Sequence, residues 1–217
     1  MINSVNNFIS IQDTLKIKIK NLIQPNIIAV SKTFPIDHLY PLINSGHEHF
    51  GENKVQETVE KWQDIKKDFL HIKLHMIGKL QTNKVKLAVQ LFDYIHSLDN
   101  LKLAQKISSE QSKINKKLKI FIQINFDNEI QKSGIDPDNL ESFYIKCVDD
   151  LKLNIIGLMC LPPKISISNN YFLKMQNLAK KINVKELSMG MSNDYLEAAE
   201  SGATFLRIGS KIFGNRT

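Results

Sequence analysis

Three stretches of this chain carry residues able to act together on one small molecule. The first is Ile27-Ile28-Ala29-Val30-Ser31-Lys32, four apolar residues followed by a hydroxyl and an amine. An amine at the C-terminal tip of a buried strand sits where α/β folds place their chemistry. The second is Ser188-Met189-Gly190-Met191-Ser192-Asn193-Asp194. Its glycine allows close backbone approach, and the helix start that follows offers N–H groups to an anion. The third, Arg207-Ile208-Gly209-Ser210-Lys211, ends a short apolar run with a glycine, a hydroxyl and two cations. Taken singly, each is ordinary. Most lysines leave the core for solvent, Ser192 has the side chain of a helix N-cap, and Gly209 suits a turn. Taken together they set an amine beside an anion cradle. That pairing suits a Schiff base to a phosphorylated carbonyl compound. Pyridoxal 5′-phosphate meets the description, and the chemistry would then belong largely to the cofactor.

The elements that must bring these stretches together alternate from Ile27 onward. Apolar or alternating runs predict strands at 27–30, 49–53, 74–78, 94–98, 118–125, 155–161, 186–189 and 205–208. In the fifth, Leu118, Ile120, Ile122 and Ile124 face one way, and Lys119, Phe121, Gln123 and Asn125 the other. Helical spacing follows each of the first seven. It is clear at Ile36 to Ile43, closed by Gly46 and awkward only at Pro41, and again at Val55, Val59, Trp62 and Ile65. Asp136-Pro137 is a good helix start, an N-cap with proline at N1. Pro162-Pro163 stops the sixth strand, and the segment 192–201 reads as a helix closed by Gly202. Ahead of the alternation, Val5, Phe8, Ile9, Leu15, Ile19 and Leu22 predict a leading helix that Pro25 ends.

Eight strand–helix alternations without a linker or repeat predict one α/β domain over 1–217, a leading helix within 3–24 and a closed (β/α)8 TIM barrel over 27–214. A doubly wound open sheet is the runner-up, but it would carry a G-x-G-x-x-G turn after the first strand, and none is present. In a barrel, the tip of strand one neighbours the loops after strands seven and eight, where phosphate is often held.

Composition narrows the function classes. Hydrophobic content of 42% and charged content of 24% are ordinary globular values, which argues against disorder. Two cysteines, Cys147 and Cys160, make neither a disulfide framework nor a zinc site, and a reduced, cytoplasmic setting fits them. No run of 18 apolar residues predicts a membrane span, and the N-terminus lacks the layout of a signal peptide. The net charge of +7 raises the question of nucleic acid. The lysines, however, are scattered along helices, and no basic run is interleaved with aromatics, so no nucleic-acid partner is expected.

The ordered motifs AVSKTFP (29–35), HFGENKVQE (49–57), HMIGKLQTNKVK (75–86), QKSGIDP (131–137), GLMCLPP (157–163), LSMGMSND (187–194) and RIGSKIFG (207–214) span nearly the whole chain. In them the sequence resembles the pyridoxal phosphate homeostasis proteins, the YggS/PROSC-type family. Lys54 stands where an aromatic is common in that family, and Cys160 where threonine or alanine is common. The resemblance implies that Lys32 forms the internal aldimine, that Ser188, Met191, Ser192, Gly209 and Ser210 belong to the phosphate-binding segments, and that Arg207 faces the pyridine nitrogen. It also places Asn53 beside the ring, where N-capping of the next helix is a second role. His75, Met76 and Asn125 are weaker candidates, lining the mouth from strands three and five. No residue is assigned a catalytic role, and no metal is expected.

The same resemblance implies a carrier that stores or delivers the cofactor, with PLP-dependent apo-enzymes as possible recipients. The alternative is a PLP-dependent amino-acid racemase, because the barrel, lysine and arginine are similar to the N-terminal domain of alanine racemase. That enzyme takes a second base from a separate β domain, and the chain ends at Thr217, directly after the barrel, so the carrier is preferred. A Schiff-base aldolase would want its lysine on a late strand, and Lys132, Lys164 and Lys185 fall outside the predicted late-strand tips. With no appended dimerisation domain in view, a monomer is expected.

Overall fold

The computed structural model describes residues 3–20, 24–126, 133–161 and 168–214. Its strands are β1 (Asn26–Val30), β2 (His49–Glu52), β3 (Lys73–Met76), β4 (Tyr94–Leu98), β5 (Lys119–Ile124), β6 (Ile155–Cys160), β7 (Glu186–Met191) and β8 (Phe205–Ile208). They close into a barrel in chain order, every pair parallel and β1 hydrogen-bonded to β8. An open sheet would leave those two strands apart. Each predicted strand is present, β4 and β8 with the predicted bounds and the others with ends displaced by one or two residues. Parallel neighbours need long crossovers, which the helices supply: α2 (Tyr40–Asn44), α3 (Val55–Trp62), α4 (Ile65–Asp68), α5 (Val85–Leu91), α6 (Leu101–Lys113), α7 (Leu140–Ile145), α8 (Ser168–Lys181), α9 (Tyr195–Glu200) and α10 (Ser210–Phe213).

Side-chain alternation along the strands sorts the core into two layers. Ile28, Tyr94, Phe121, Met159 and Phe205 turn inward and pack on one another inside the barrel. Ile27, Ala29, Leu74, Met76, Ile95, Ile120, Leu206 and Ile208 turn outward and pack with Trp62, Ala88, Phe172 and other helix residues. The predicted alternation in β5 holds: Ile120, Ile122 and Ile124 join the outer layer while Phe121 points in. Closure brings strands close, and at Gly157 a Cβ would collide with the Glu186 carbonyl of the next strand. The register shifts within β4 between Ile95 and Leu98, and within β7 between Ser188 and Met191. Both irregularities lie on strands that carry polar residues into the interior.

Local chemistry explains where helix boundaries depart from the sequence pattern. The leading helix α1 (Ser4–Lys18) is capped by the Asn3 side chain, which accepts from the Asn6 N–H. It stops short of the predicted end, with Ile19 extended and its carbonyl taken by the Gln24 side chain. Leu22 lies outside the described residues, as do Pro162, Pro163, Lys132 and Lys164. The segment after β1 is two pieces, a 3₁₀ turn (Ile36–His38) and then α2. Pro41 therefore falls in the first turn of its own helix, where no N–H is missed. Asp136 caps as expected, accepting from Asp138, but it opens a 3₁₀ turn (Pro137–Asn139) ahead of α7.

Candidate functional site

Lys32 lies just beyond β1 and is half-buried, one residue after Ser31, which is fully buried. The backbone that presents it is held from the neighbouring strand and helix. Ser31 N–H donates to the Gly51 carbonyl at 3.0 Å, and its hydroxyl donates to Glu52 Oε1 at 2.8 Å. Lys61 Nζ donates to the Ser31 carbonyl at 3.1 Å and to Glu52 Oε1 at 3.0 Å. Trp62 Nε1 donates to the same oxygen at 2.9 Å. Glu52 is wholly buried, and its other oxygen, Oε2, has no hydrogen-bond partner among the described residues. So a buried carboxylate on β2 ties the end of β1 to α3. Sequence reasoning passes over Glu52, because GEN reads as a strand end followed by a polar cap.

On the far side of Lys32, Thr33 has φ +71°, a left-handed conformation that a β-branched side chain adopts only under constraint. The constraint is visible: Thr33 N–H donates to Glu57 Oε1 at 2.9 Å. Thr33→Gly is expected to stabilise the fold by up to about 1 kcal/mol, strain relief outweighing the extra entropy of glycine. Thermal unfolding of the variant checks this; a drop in midpoint would show that the turn is unstrained.

Beside β1, the inward face of β8 carries Arg207, buried at 4% exposure. Its Nη1 donates to Ser188 Oγ at 2.7 Å and its Nη2 to the Cys160 carbonyl at 2.8 Å. Arg207 is level with Ile28 on β1 and with Met191 on β7. Both partners are neutral, and they engage two of the five guanidinium N–H groups. A buried cation held in that way is equipped to meet one further acceptor. Cys160 itself contributes only its carbonyl; burial pushes its thiol up to about 12, as it does that of Cys147.

The two glycine segments meet as the sequence predicts, with one change of role. Ser192 does not cap a helix: α9 begins at Tyr195 with Asp194 as its capping position. Instead Ser192 Oγ faces the β8–α10 segment, 3.4 Å from the Gly209 N–H and 3.5 Å from the Lys211 N–H. Asp194 Oδ1 accepts from Met191 N–H and closes the turn. Gly190 has φ +87°, and a Cβ there would press on Ala198 of α9. Gly209 is half-buried and Ser210 and Met191 are exposed at this end of the barrel.

Three further predicted residues are placed differently. Asn53 does not cap α3; Lys54 occupies that position without a side-chain bond. Asn53 Oδ1 is buried without a hydrogen-bond partner among the described residues, and Gly78 packs so closely that a Cβ there would strike Asn53. Met76 turns into the outer layer against the helices, so it does not line the mouth. His75 turns inward but below the mouth, stacked on Tyr94 at 4.1 Å and fully buried. The parity of β3 decides both, since adjacent residues on a strand face opposite ways. Asn125 follows β5, half-buried, with its N–H bonded to the Ile135 carbonyl at 3.0 Å.

Around His75 the structure reveals a polar chain that the sequence pattern conceals. His49 Nδ1 lies 2.9 Å from His75 Nε2, His75 Nδ1 2.9 Å from His96 Nε2, and His96 Nδ1 2.8 Å from Ser188 Oγ. His96 stacks on Phe121. The signal that could have found them is parity: His49, Ile28, His75, Tyr94, His96 and Phe205 are the inward positions of consecutive strands.

Comparison with known proteins agrees with this geometry. The family "Alanine racemase, N-terminal domain" matches residues 13–217. The pyridoxal phosphate homeostasis protein of Pasteurella multocida is 35% identical over 200 residues, covering 88% of this chain and 86% of its own length. That of Haemophilus influenzae is 36% identical over 201 residues, covering 88% and 84%. This chain belongs to the pyridoxal phosphate homeostasis protein family. Among solved structures, PipY of Synechococcus elongatus superposes with a TM-score of 0.88 at 30% identity, over 99% of this chain and 100% of that one. PipY has also been solved with PLP bound, and that structure superposes with a TM-score of 0.86. Alanine racemase of Clostridium difficile shares the barrel, with a TM-score of 0.75 at 14% identity over 57% of its length. Among the described residues of this family member, no helix is long and apolar enough to cross a membrane.

Proposed function

We propose that this chain binds pyridoxal 5′-phosphate, holds it as a Schiff base on Lys32, and serves as a cytoplasmic reserve of the cofactor for PLP-dependent apo-enzymes, acting as a monomer without demanding turnover of its own. The observation that carries the reading is the juxtaposition of the β1 tip, which ends in Lys32, with the Arg207–Ser188 pair on its hydrogen-bonded neighbour β8 and on β7. The names of the relatives and the PLP-bound PipY structure point the same way.

The residues present fit the group. When bound, PLP supplies an aldehyde that condenses reversibly with a primary amine. Ser192, Gly209 and Ser210 offer hydroxyls and backbone N–H groups to the phosphate. Arg207 offers its remaining donors to the ring nitrogen, and Asn53 Oδ1, buried and unpartnered, faces a want of one donor. Arginine is charged across the accessible pH range. Set against the ring nitrogen, it disfavours a proton there and so weakens the ring as an electron sink. Glu52, Lys61 and Glu57 fix the backbone on both sides of Lys32. A holder rather than a fast enzyme follows from that balance.

The test is the colour of the purified protein incubated with PLP. A yellow protein that borohydride converts to a stable adduct at Lys32, and that Lys32→Ala fails to form, is the expected result. A chain that stays colourless with added cofactor would sink the reading, and robust racemisation of alanine would replace it with the racemase alternative.

A further inference from the structure

The Arg207 guanidinium cannot accept a hydrogen bond, so the contact from Nη1 to Ser188 uses a lone pair of that hydroxyl. The single Ser188 hydrogen is then available to its other partner, His96 Nδ1, at 2.8 Å. A neutral imidazole has one N–H. If Nδ1 of His96 accepts, its proton is on Nε2, which faces His75 Nδ1 at 2.9 Å. The same step repeats: His75 carries its proton on Nε2 and gives it to His49 Nδ1 at 2.9 Å. The opposite order, with every proton on Nδ1, would make Ser188 Oγ accept twice and leave its own hydrogen without an acceptor among the described residues. One permanent donor at one end therefore dictates three tautomers along the chain.

The surroundings keep the rings neutral. His75 and His96 are fully buried, and burial holds both well below the ordinary histidine range. A proton on His96 would also face Arg207, and one on His75 would face His96, His49, His47 and Lys119. At the other end, His49 is also pulled down by burial and by Lys119 and Lys73, with Glu48 and Asp93 acting against them. His49 lines a cavity of about 460 Å³ beneath the barrel, bounded by Phe8, Gln12, Leu15, His47 and Glu48. The chain thus starts at a polar opening on the N-terminal face and ends on the residue that meets Arg207.

We infer that His49, His75 and His96 are positioning residues for the Ser188–Arg207 pair, locked together in the Nε2–H tautomer. Through Ser188 they set the angle at which the guanidinium meets whatever lies above it. That last step rests on the PLP reading given above; the tautomer lock does not.

Two measurements test it. Nitrogen-15 chemical shifts of the histidines, taken on the protein without cofactor between pH 7 and pH 6, are expected to show three neutral Nε2–H rings. Any of the three found as the Nδ1–H form or as imidazolium overturns the lock. His75→Phe keeps a ring on Tyr94 but removes both bonds. It is expected to leave His96 as the Nε2–H form fixed by Ser188, to release His49 into a mixture of tautomers, and to weaken PLP binding about tenfold, the loss that accompanies one hydrogen bond to a charged group. His75→Gln restores an acceptor and a donor and is expected to recover both readouts. A His75→Phe protein with His49 and the absorbance of bound PLP unchanged overturns the positioning role. If that variant does not fold, the unsubstituted protein and His75→Gln decide the question alone. A protein with locked tautomers that binds no PLP would sink the proposed function and leave the lock standing.

Discussion

Stability should fall steeply as the pH drops from 7 toward 4, because the fold keeps imidazoles neutral that the unfolded chain protonates. Burial lowers His47 to about 4 and holds His49, His75 and His96 below the ordinary value of 6.5. Below 6.5 the unfolded state therefore binds more protons than the folded one. The stability these groups contribute is fully present above 6.5 and is lost as the pH falls toward their folded values. His47 alone should cost about 3 kcal/mol between 6.5 and 4, at about 1.4 kcal/mol per pH unit. His75 and His96 act in the same direction, so the slope below pH 6 should approach about 4 kcal/mol per unit when three rings contribute together. Domains of this size have only about 5–15 kcal/mol to lose. Urea titrations at pH 7, 6 and 5 would show the midpoint sliding downward. A flat midpoint across that window would mean the rings titrate normally and the interior is wet.

The second large effect belongs to Glu52. Glu52→Ala strips the partner from Lys61, which is almost buried, and from the Trp62 N–H and the Ser31 hydroxyl. Breaking a buried pair by removing one member costs about 3–5 kcal/mol, since the remaining charge stays desolvated. Glu57, 3.7 Å from Lys61, is placed to recover part of it. Glu52→Gln keeps an acceptor for the three donors and should cost distinctly less. Denaturant midpoints of the two variants give the comparison, and a Glu52→Ala loss below about 1 kcal/mol would show that the cluster is hydrated. Glu52→Ala also loosens the backbone at Ser31, so the attachment of PLP proposed at Lys32 should slow even where the protein remains folded.

The eight strands are legible in the sequence because parallel strands covered on both faces leave continuous apolar runs, as Ile27–Val30 and Ile155–Cys160 do. Lys32, Ser188 and Arg207 are legible for a related reason: each is a polar residue at or near the end of such a run. What is hidden depends on parity and on contacts between strands. Met76 and His75 are neighbours in sequence, yet one packs against helices and the other into the barrel. Alternation counted from Tyr94 and from Leu187 turns His96 and Ser188 inward, but it does not show that the two side chains meet across the barrel. Asn53 and Ser192 have the composition of helix caps, and only the placement of their side chains separates them from that role. Glu52 is silent because a carboxylate at a strand end ordinarily reaches solvent; here Trp62 and Lys61 come to it from the next helix.

The contact between Arg207 and the Cys160 carbonyl bears on how freely this barrel can vary. The atom that serves the site belongs to the main chain, while the side chain at 160 is turned into the outer layer. A group that every amino acid possesses is indifferent to which amino acid supplies it. A residue of similar volume at position 160 would keep that bond, since the cysteine side chain lines the helix layer and the carbonyl alone bonds Arg207.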